Sequence, residues 1–430
     1  MLLIFTPEIT PRIQFTFEFV FNDLLRMPFK LTNQKSYFYR YEGPVLNYSP
    51  QPLNKGIWIQ SNGLLTQKGI SYPDPKPGQW NKLPILFKTG PEPDLPFDNF
   101  AGSFYLISRY EEYLDFKPDH VGRFPQELSV AVKNDFLEIP VVDLWAARLK
   151  KMLKIRYPEL QFNERSYSFI STIDIDQAWA YLHKGLARHL AGGIKNSLKG
   201  DIRDVKRRTQ TLSRLKKDPF DNYEYLFEIL QGIDNGYFIQ VGKYSKFDKN
   251  HSGRHPAMRK LIHKLDKNGK IGIHPSVRSG QRRELDHEIS LLSNIVGKEI
   301  VKSRQHYLYL RFPKTYRNLI QNGVKEDYSM GYPYKPGFRA GTATPFMFYD
   351  LLEEKVTDLK IIPFQVMDSC LNYNMGLSTQ EAKELFAEYI KKVKKVNGTF
   401  VSIWHNSSLG DEGEWEGWRA VFEYMLSQAK

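Results

Sequence analysis

Apolar positions along the 430-residue chain follow one rhythm up to about residue 140 and another from about residue 165. The first part mixes short apolar runs with many turns. Residues 2–5 (LLIF) read as a short buried strand, and the runs IWIQSNG and LPILF as further short strands before residue 95. Residues 11–25 fit two periods. Ile13, Phe17, Val20 and Leu24 recur at helical spacing, while Ile13, Phe15, Phe17, Phe19 and Phe21 alternate as in a strand. Pro11 near the start and a length of about four turns favour a helix. Residues 100–113 (FAGSFYLISRYEEY) predict a helix with Phe104, Leu106 and Ile107 on its apolar face and an acidic end. Residues 141–157 (VVDLWAARLKKMLKIRY) predict a basic amphipathic helix that connects the two parts.

From residue 166 the pattern turns to strands alternating with longer helical stretches. The strands fall at 167–176, 237–242, 270–275, near 303–310, at 359–368 and at 399–406. Helices are predicted up to Leu230, near 258–265, at 284–297, near 315–321, at 380–395 and at the C-terminus. Such alternation predicts an α/β fold with a parallel sheet, open or closed into a barrel. The expected organisation is a small α/β domain at 1–140 and a connecting helix at 141–164. A larger α/β domain then spans 165–430, with a basic helical insertion at 181–218.

In both architectures functional residues gather at the C-terminal ends of the strands. The polar residues obey that rule. The first strand ends in Asp174 and Asp176, two apart and therefore on one face of an extended chain. Two such carboxylates repel unless a cation or a shared proton offsets them. A divalent metal is one such cation, and an Asx-type helix cap is the structural alternative. The third strand ends at His274, the fourth carries Arg304 and His306, the next carries Asp368 and the last His405. Any one of these histidines could be a cap or a satisfied core residue. Five strand ends supplying Asp, His or Arg together point to a metal-assisted hydrolytic site.

Composition narrows the setting. With 14% aromatic and 25% charged residues, the chain is expected to be folded and soluble. The formal charge is +13, and much of the excess lies between Lys184 and Lys217, through Arg203, Lys206, Arg207, Arg208 and Arg214. That run suits an anionic polymer or a membrane surface, or else a solvated helical insertion. No nucleic-acid-binding motif accompanies it, so nucleic acid is not an expected partner. A single cysteine, Cys370, excludes an intrachain disulfide and fits a reducing compartment. The first residues lack a basic leader and are broken by Pro7, so no signal peptide is expected. No apolar stretch reaches the roughly 18 residues that span a bilayer. The expected location is cytoplasmic.

The order of motifs resembles the polysaccharide deacetylases of the NodB type (carbohydrate esterase family 4) over roughly residues 165–430. STIDID matches that family's first motif, YFIQVG its FF-x-x-G strand, KIGIHP its second motif, SRQHYL its arginine motif and SIWHN its last. The resemblance implies a distorted, incomplete (β/α) barrel that binds a divalent metal, with zinc the first choice. It implies Asp174 as general base, Asp176 and His274 as metal ligands, Arg304 as the residue orienting the base and His405 as general acid. One ligand departs from the pattern. Where the family has a second histidine four residues after the first, this chain has Arg278, and His306 is the expected replacement. Asp327 is the expected partner of the catalytic histidine, and Arg339 in the Gly-rich run GFRAGTATPF would hold a substrate carboxylate or phosphate, or cap a turn. HSGRHP (251–256) imitates the family's histidine spacing but lies in a loop and is expected to be coincidental. With its N-terminal domain, the whole chain also resembles a poorly characterised group of bacterial deacetylase-like proteins.

The expected activity is hydrolysis of an acyl group, such as acetyl, from an amino sugar or polysaccharide. The partner is then a carbohydrate or a lipid-linked glycan, with peripheral membrane contact through the basic segment. Two alternatives stand beside it: a carbohydrate-binding protein without catalysis, and a metal hydrolase of another C–N or ester bond.

Overall fold

Two sheets of unequal size carry the architecture of the computed structural model, which describes residues 1–184, 202–280 and 282–430. The smaller is all parallel, in the order β2-β1-β3-β4: β1 is Leu2–Phe5, β2 Phe29–Thr32, β3 Val45–Ser49 and β4 Ile57–Gln60. A hairpin, β5 (Gly78–Trp80) with β6 (Leu83–Ile85), follows. The second half builds a nine-stranded sheet from β7 (Ser168–Ile175), β8 (Asn235–Ile239), β9 (Lys270–Ile273), β10 (Lys302–Ser303), β11 (Glu326–Asp327), β12 (Phe346–Asp350), β13 (Lys355–Ile361), β14 (Val366–Met367) and β15 (Thr399–His405). Its order is β12-β13-β11-β10-β9-β8-β7-β15-β14, parallel throughout except for the β12–β13 hairpin. The molecule is thus mixed α/β. The strands register as an open series, with β12 and β14 at its edges.

Local sequence explains most of these elements. Thr10 accepts the Ile13 N–H at 3.1 Å, and Pro11 occupies the first helical position, so a helix opens there. It is α-helical over Pro11–Phe17 and then loosens into a π-helix over Glu18–Leu24. Phe15, Phe17, Phe19 and Phe21 are all buried, which is why this stretch also reads as a strand. Ser378 and Glu381 form a reciprocal capping box that starts the helix Thr379–Lys395.

The strand expected near 303–310 is a correction. Only Lys302–Ser303 pair, and a 3-10 turn at His306–Leu308 follows. The single strand expected at 359–368 is also interrupted. Pro363 has no N–H to donate to a ladder, and the stretch splits into β13 and β14. Of the basic insertion expected at 181–218, residues 185–201 lie outside the described residues. Ile202–Leu212 is a helix.

One apolar cluster runs from Leu2 through Trp145 and Ile173 to Met425, so both sheets bury their faces in a shared core. A smaller cluster lies on the opposite face of the large sheet, formed by Phe238, Tyr328, Phe364, Val401 and Ile403. Alternation assigns residues to the two faces: Phe400 and Trp404 of β15 join the shared core, Val401 and Ile403 the smaller one. Among the described residues, no helix is long and apolar enough to cross a membrane.

A buried charge network ties the N-terminal part to the second half. Arg109 pairs with Glu111 at 2.7 Å and with Glu112 at 2.8 Å, and Arg339 holds Glu112 through both of its oxygens at 2.9 and 2.6 Å. Arg109 also donates to the Tyr332 hydroxyl at 3.0 Å. Two guanidinium groups and two carboxylates neutralise one another away from water. Removing one partner strands a buried charge, which typically costs about 3–5 kcal/mol. Arg339→Met is therefore expected to lower the unfolding free energy by about that amount, read from urea denaturation with an unchanged slope. A loss below about 1 kcal/mol would mean that the network bears little of the stability.

Candidate active site

The parallel ladder places chemistry-bearing residues side by side at one end of the sheet. His405 at the end of β15 is opposite Asp174 on β7, and Asp174 is opposite Phe238 on β8. The His274 N–H donates to the Ile239 carbonyl at 3.0 Å and the Arg304 N–H to the Ile273 carbonyl at 3.0 Å, so the ladder continues one residue past β9 and β10. Asp176 lies just beyond β7. Within the described residues, one oxygen of Asp176 and one ring nitrogen each from His274 and His306 lie within 4.8 Å of one another.

The histidine tautomers follow from their partners. His274 Nδ1 lies 2.6 Å from the Arg304 carbonyl, which can only accept, so Nδ1 carries the proton. Its Nε2 then faces Asp176 Oδ1 at 3.1 Å, a buried oxygen with no other hydrogen-bond partner among the described residues. Two lone pairs so close repel, and a proton or a cation between them relieves that repulsion. His306 is placed similarly, with the Gln240 amide nitrogen also 2.8 Å from its Nδ1. Its Nδ1 is 2.9 Å from the buried carboxylate of Asp248, and its Nε2 is 3.5 Å from Asp176 Oδ2. Histidine ligands whose other nitrogen is held by a carbonyl or carboxylate are the usual setting of a protein metal site.

Protons occupy this site when no cation does. Burial alone would raise the Asp176 carboxyl, but His306 and His274 hold it well below the usual range. Burial alone would lower His306, whereas Asp176 and Asp248 push it up to about 9. His405 behaves likewise. Against burial, Asp368 and then Asp176 and Asp174 push it up to about 10. Its Nδ1 is 2.8 Å from Asp368 Oδ1, and its Nε2 faces Asp176 Oδ2 at 3.9 Å.

Asp174 is 3% exposed and is held from behind. Arg304, fully buried, donates to Asp174 Oδ1 at 3.1 Å, to Thr172 Oγ1 at 2.8 Å and to the Tyr328 carbonyl at 3.1 Å. Its guanidinium lies 4.6 Å from the centre of the Phe238 ring, inside the smaller apolar cluster. A cleft of about 350 Å³ opens over these groups, walled by Tyr307, Tyr334, Tyr373 and Trp415 and by His120 from the N-terminal part.

Asp174, Asp176, His274, Arg304, His306 and His405 thus converge. Two expectations are corrected. Arg339 does not reach the cleft: it is buried in the ion pair with Glu112 and donates its remaining bond to the Gly331 carbonyl at 2.9 Å. Asp327 does not partner His405. It accepts from Ser303 and Ser329 instead, and Asp368 holds the histidine. Arg278 is exposed on the turn Val277–Gly280. The HSGRHP histidines stay outside the cluster: a ring nitrogen of His251 meets the Leu182 carbonyl, and His255 caps the helix Pro256–Asn268. Sequence reasoning missed Asp248, a loop aspartate among lysines that carries no local signal.

A family model described as "Family of unknown function (DUF7033)" matches residues 2–158. No curated protein matches the chain. Among solved structures, it is similar to a presumed polysaccharide deacetylase from Mycobacterium smegmatis at 14% identity and TM-score 0.41, over 63% of this chain and 86% of the other. An allantoinase gives 12% and 0.37, over 61% and 83%. A family 4 carbohydrate esterase from Streptomyces lividans, in complex with acetate, gives 10% and 0.30, over 61% and 87%.

Glu288 buttresses the segment after His274. It accepts the Ser276 N–H at 3.0 Å and the Ser276 hydroxyl at 2.5 Å, and burial pushes its carboxyl from 4.5 up to about 7. A raised carboxyl favours the folded state fully below pH 4.5, and that contribution is lost as pH rises through 7. Stability is thus expected to fall by up to about 3 kcal/mol over that interval. Urea midpoints at pH 4.5 and 7.5 check this, and Glu288→Gln should flatten the decline.

Proposed function

We propose that this protein is a metal-dependent hydrolase that removes an acyl group, acetyl in the first instance, from an amino sugar or polysaccharide. One observation carries the reading: Nε2 of His274 and Nε2 of His306 both face the Asp176 carboxylate, while a carbonyl and a carboxylate hold the two Nδ1 atoms from behind, the donor set of a cation site. Two imidazoles and one carboxylate suit zinc. Asp176, His274 and His306 would hold the ion. With a divalent ion held there, carbonyl polarisation and acidification of water would be supplied to the site.

The chain's own residues supply the remaining steps. Asp174 takes a proton from the attacking water as that oxygen bonds to the acyl carbon. Arg304 aims Asp174 by holding its Oδ1 at 3.1 Å, and the carboxylate lines the cleft. His405, with Nδ1–H held by Asp368, donates its Nε2 proton to the departing amine or alkoxide as the C–N or C–O bond breaks. The cleft supports a sugar as substrate, since it pairs aromatic walls with the polar groups of Ser369, Asn374 and Ser407. In this reading 165–430 is a distorted (β/α) barrel of the deacetylase type, preceded by the 1–140 domain and the 141–164 connector. The motif resemblance around Asp174, His274, Arg304 and His405 supports it.

The test combines metal content by elemental mass spectrometry with acetate release from acetylated amino-sugar oligomers. Asp174→Asn should keep the ion and lose roughly 10²–10⁴-fold in turnover. His405→Ala should behave the same way, whereas Asp176→Ala and His306→Ala should lose ion and turnover together. Full turnover in Asp174→Asn would remove the base from the mechanism. A metal-loaded wild type that is inert on every acylated sugar would sink the reading.

A further inference from the structure

The loop at residues 119–123, within the N-terminal part, reaches the cleft formed by the second half. It is rigidly built. Asp119 Oδ1 accepts the N–H groups of Val121, Gly122 and Arg123 at 2.9, 2.8 and 2.8 Å. Gly122 has φ +98°, and a Cβ there would lie 3.2 Å from the Tyr309 ring. Arg311 donates to the Gly122 carbonyl at 3.0 Å. The loop is thereby fastened to residues 309–311, just after the turn that carries His306.

Its product is the placement of Arg123, which is 4% exposed. Nε donates to Asp119 Oδ2 at 2.8 Å, Nη1 to the Tyr307 carbonyl at 2.7 Å and Nη2 to the Tyr334 hydroxyl at 2.6 Å. Tyr307 and Tyr334 are both walls of the cleft. Tyr307 and Leu308 adopt φ +57° and +54°, a left-handed pair that costs about 1–2 kcal/mol per residue. Such a turn persists only when its surroundings hold it. His306 enters it directly, so the direction of its ring depends on what fixes the next carbonyl.

We propose that Arg123 is a positioning residue for the metal centre: by clamping the Tyr307 carbonyl to Tyr334 it aims His306 at Asp176, so that the N-terminal part completes the site. This rests on the metal reading given above. Arg123 touches neither ion nor substrate and acts through His306. Partners of ligands typically change metal affinity by roughly 10–100-fold.

The experiment titrates zinc into the metal-free full-length chain by chelator competition, for wild type, Arg123→Ala and Arg123→Lys. Visible spectra of the cobalt forms are recorded alongside. Arg123→Ala should weaken zinc binding by roughly 10–100-fold and shift the cobalt bands. Arg123→Lys, with one donor group in place of the fork, should recover part of both, and it preserves the test if the alanine variant does not fold. Against a zinc-binding wild type, unchanged affinity and an unchanged cobalt spectrum in whichever variants fold would overturn the inference alone. A wild type that takes up neither metal would overturn the metal reading and this inference with it.

Discussion

The main chain at Arg304 decides how His274 presents itself. Its carbonyl accepts a hydrogen bond from Nδ1–H and turns Nε2 toward Asp176, 3.1 Å away. The same residue's guanidinium reaches back to Asp174. One residue therefore orients His274 with its backbone and Asp174 with its side chain. That arrangement needs β9 and β10 in parallel register, because only then does residue 304 lie beside residue 274. The acid side of the cleft follows similarly, with Asp368 just beyond β14 holding His405 at the end of β15.

Burial gives these pairings their weight. Arg304 lies among Phe238, Tyr328 and Phe364, where an unpaired guanidinium would be costly. Asp174 offsets that charge and is in turn held in place by it. Asp248 and Asp368 act on His306 and His405 in the same sense, each a carboxylate that is 0% exposed behind an imidazole. The carboxylates behind the histidines thus set the protonation of the groups in front.

Much of this was legible in the sequence, because strand ends are local. The spacing of Asp174 and Asp176 needs only an extended chain, and His274 and His405 close runs of β-branched and aromatic residues. His306 was named for a different reason from the one observed. Expected on a strand beside Arg304, it opens a left-handed turn, a conformation imposed by packing rather than by residue type. Asp248, Asp368 as the partner of His405, and Arg123 were beyond reach, since each acts on a residue 37 or more positions away. Arg339 misled because arginine in a Gly-rich loop looks free for an anion until its buried carboxylate partner, 227 residues distant, is known.

The shared core and the Arg109–Glu112–Arg339 network have a consequence for dissecting the molecule. Cutting the chain at residue 165 would leave Arg339 with its backbone partner at Gly331 but without the carboxylate that neutralises it. It would also bare the rings of Tyr349 and Phe346, which rest on Phe15 and Phe19. The two stretches are thus poor candidates for separate expression or for grafting onto other partners. The chain is better treated as one heritable and engineerable unit, in which a change near residue 110 is felt at residue 339.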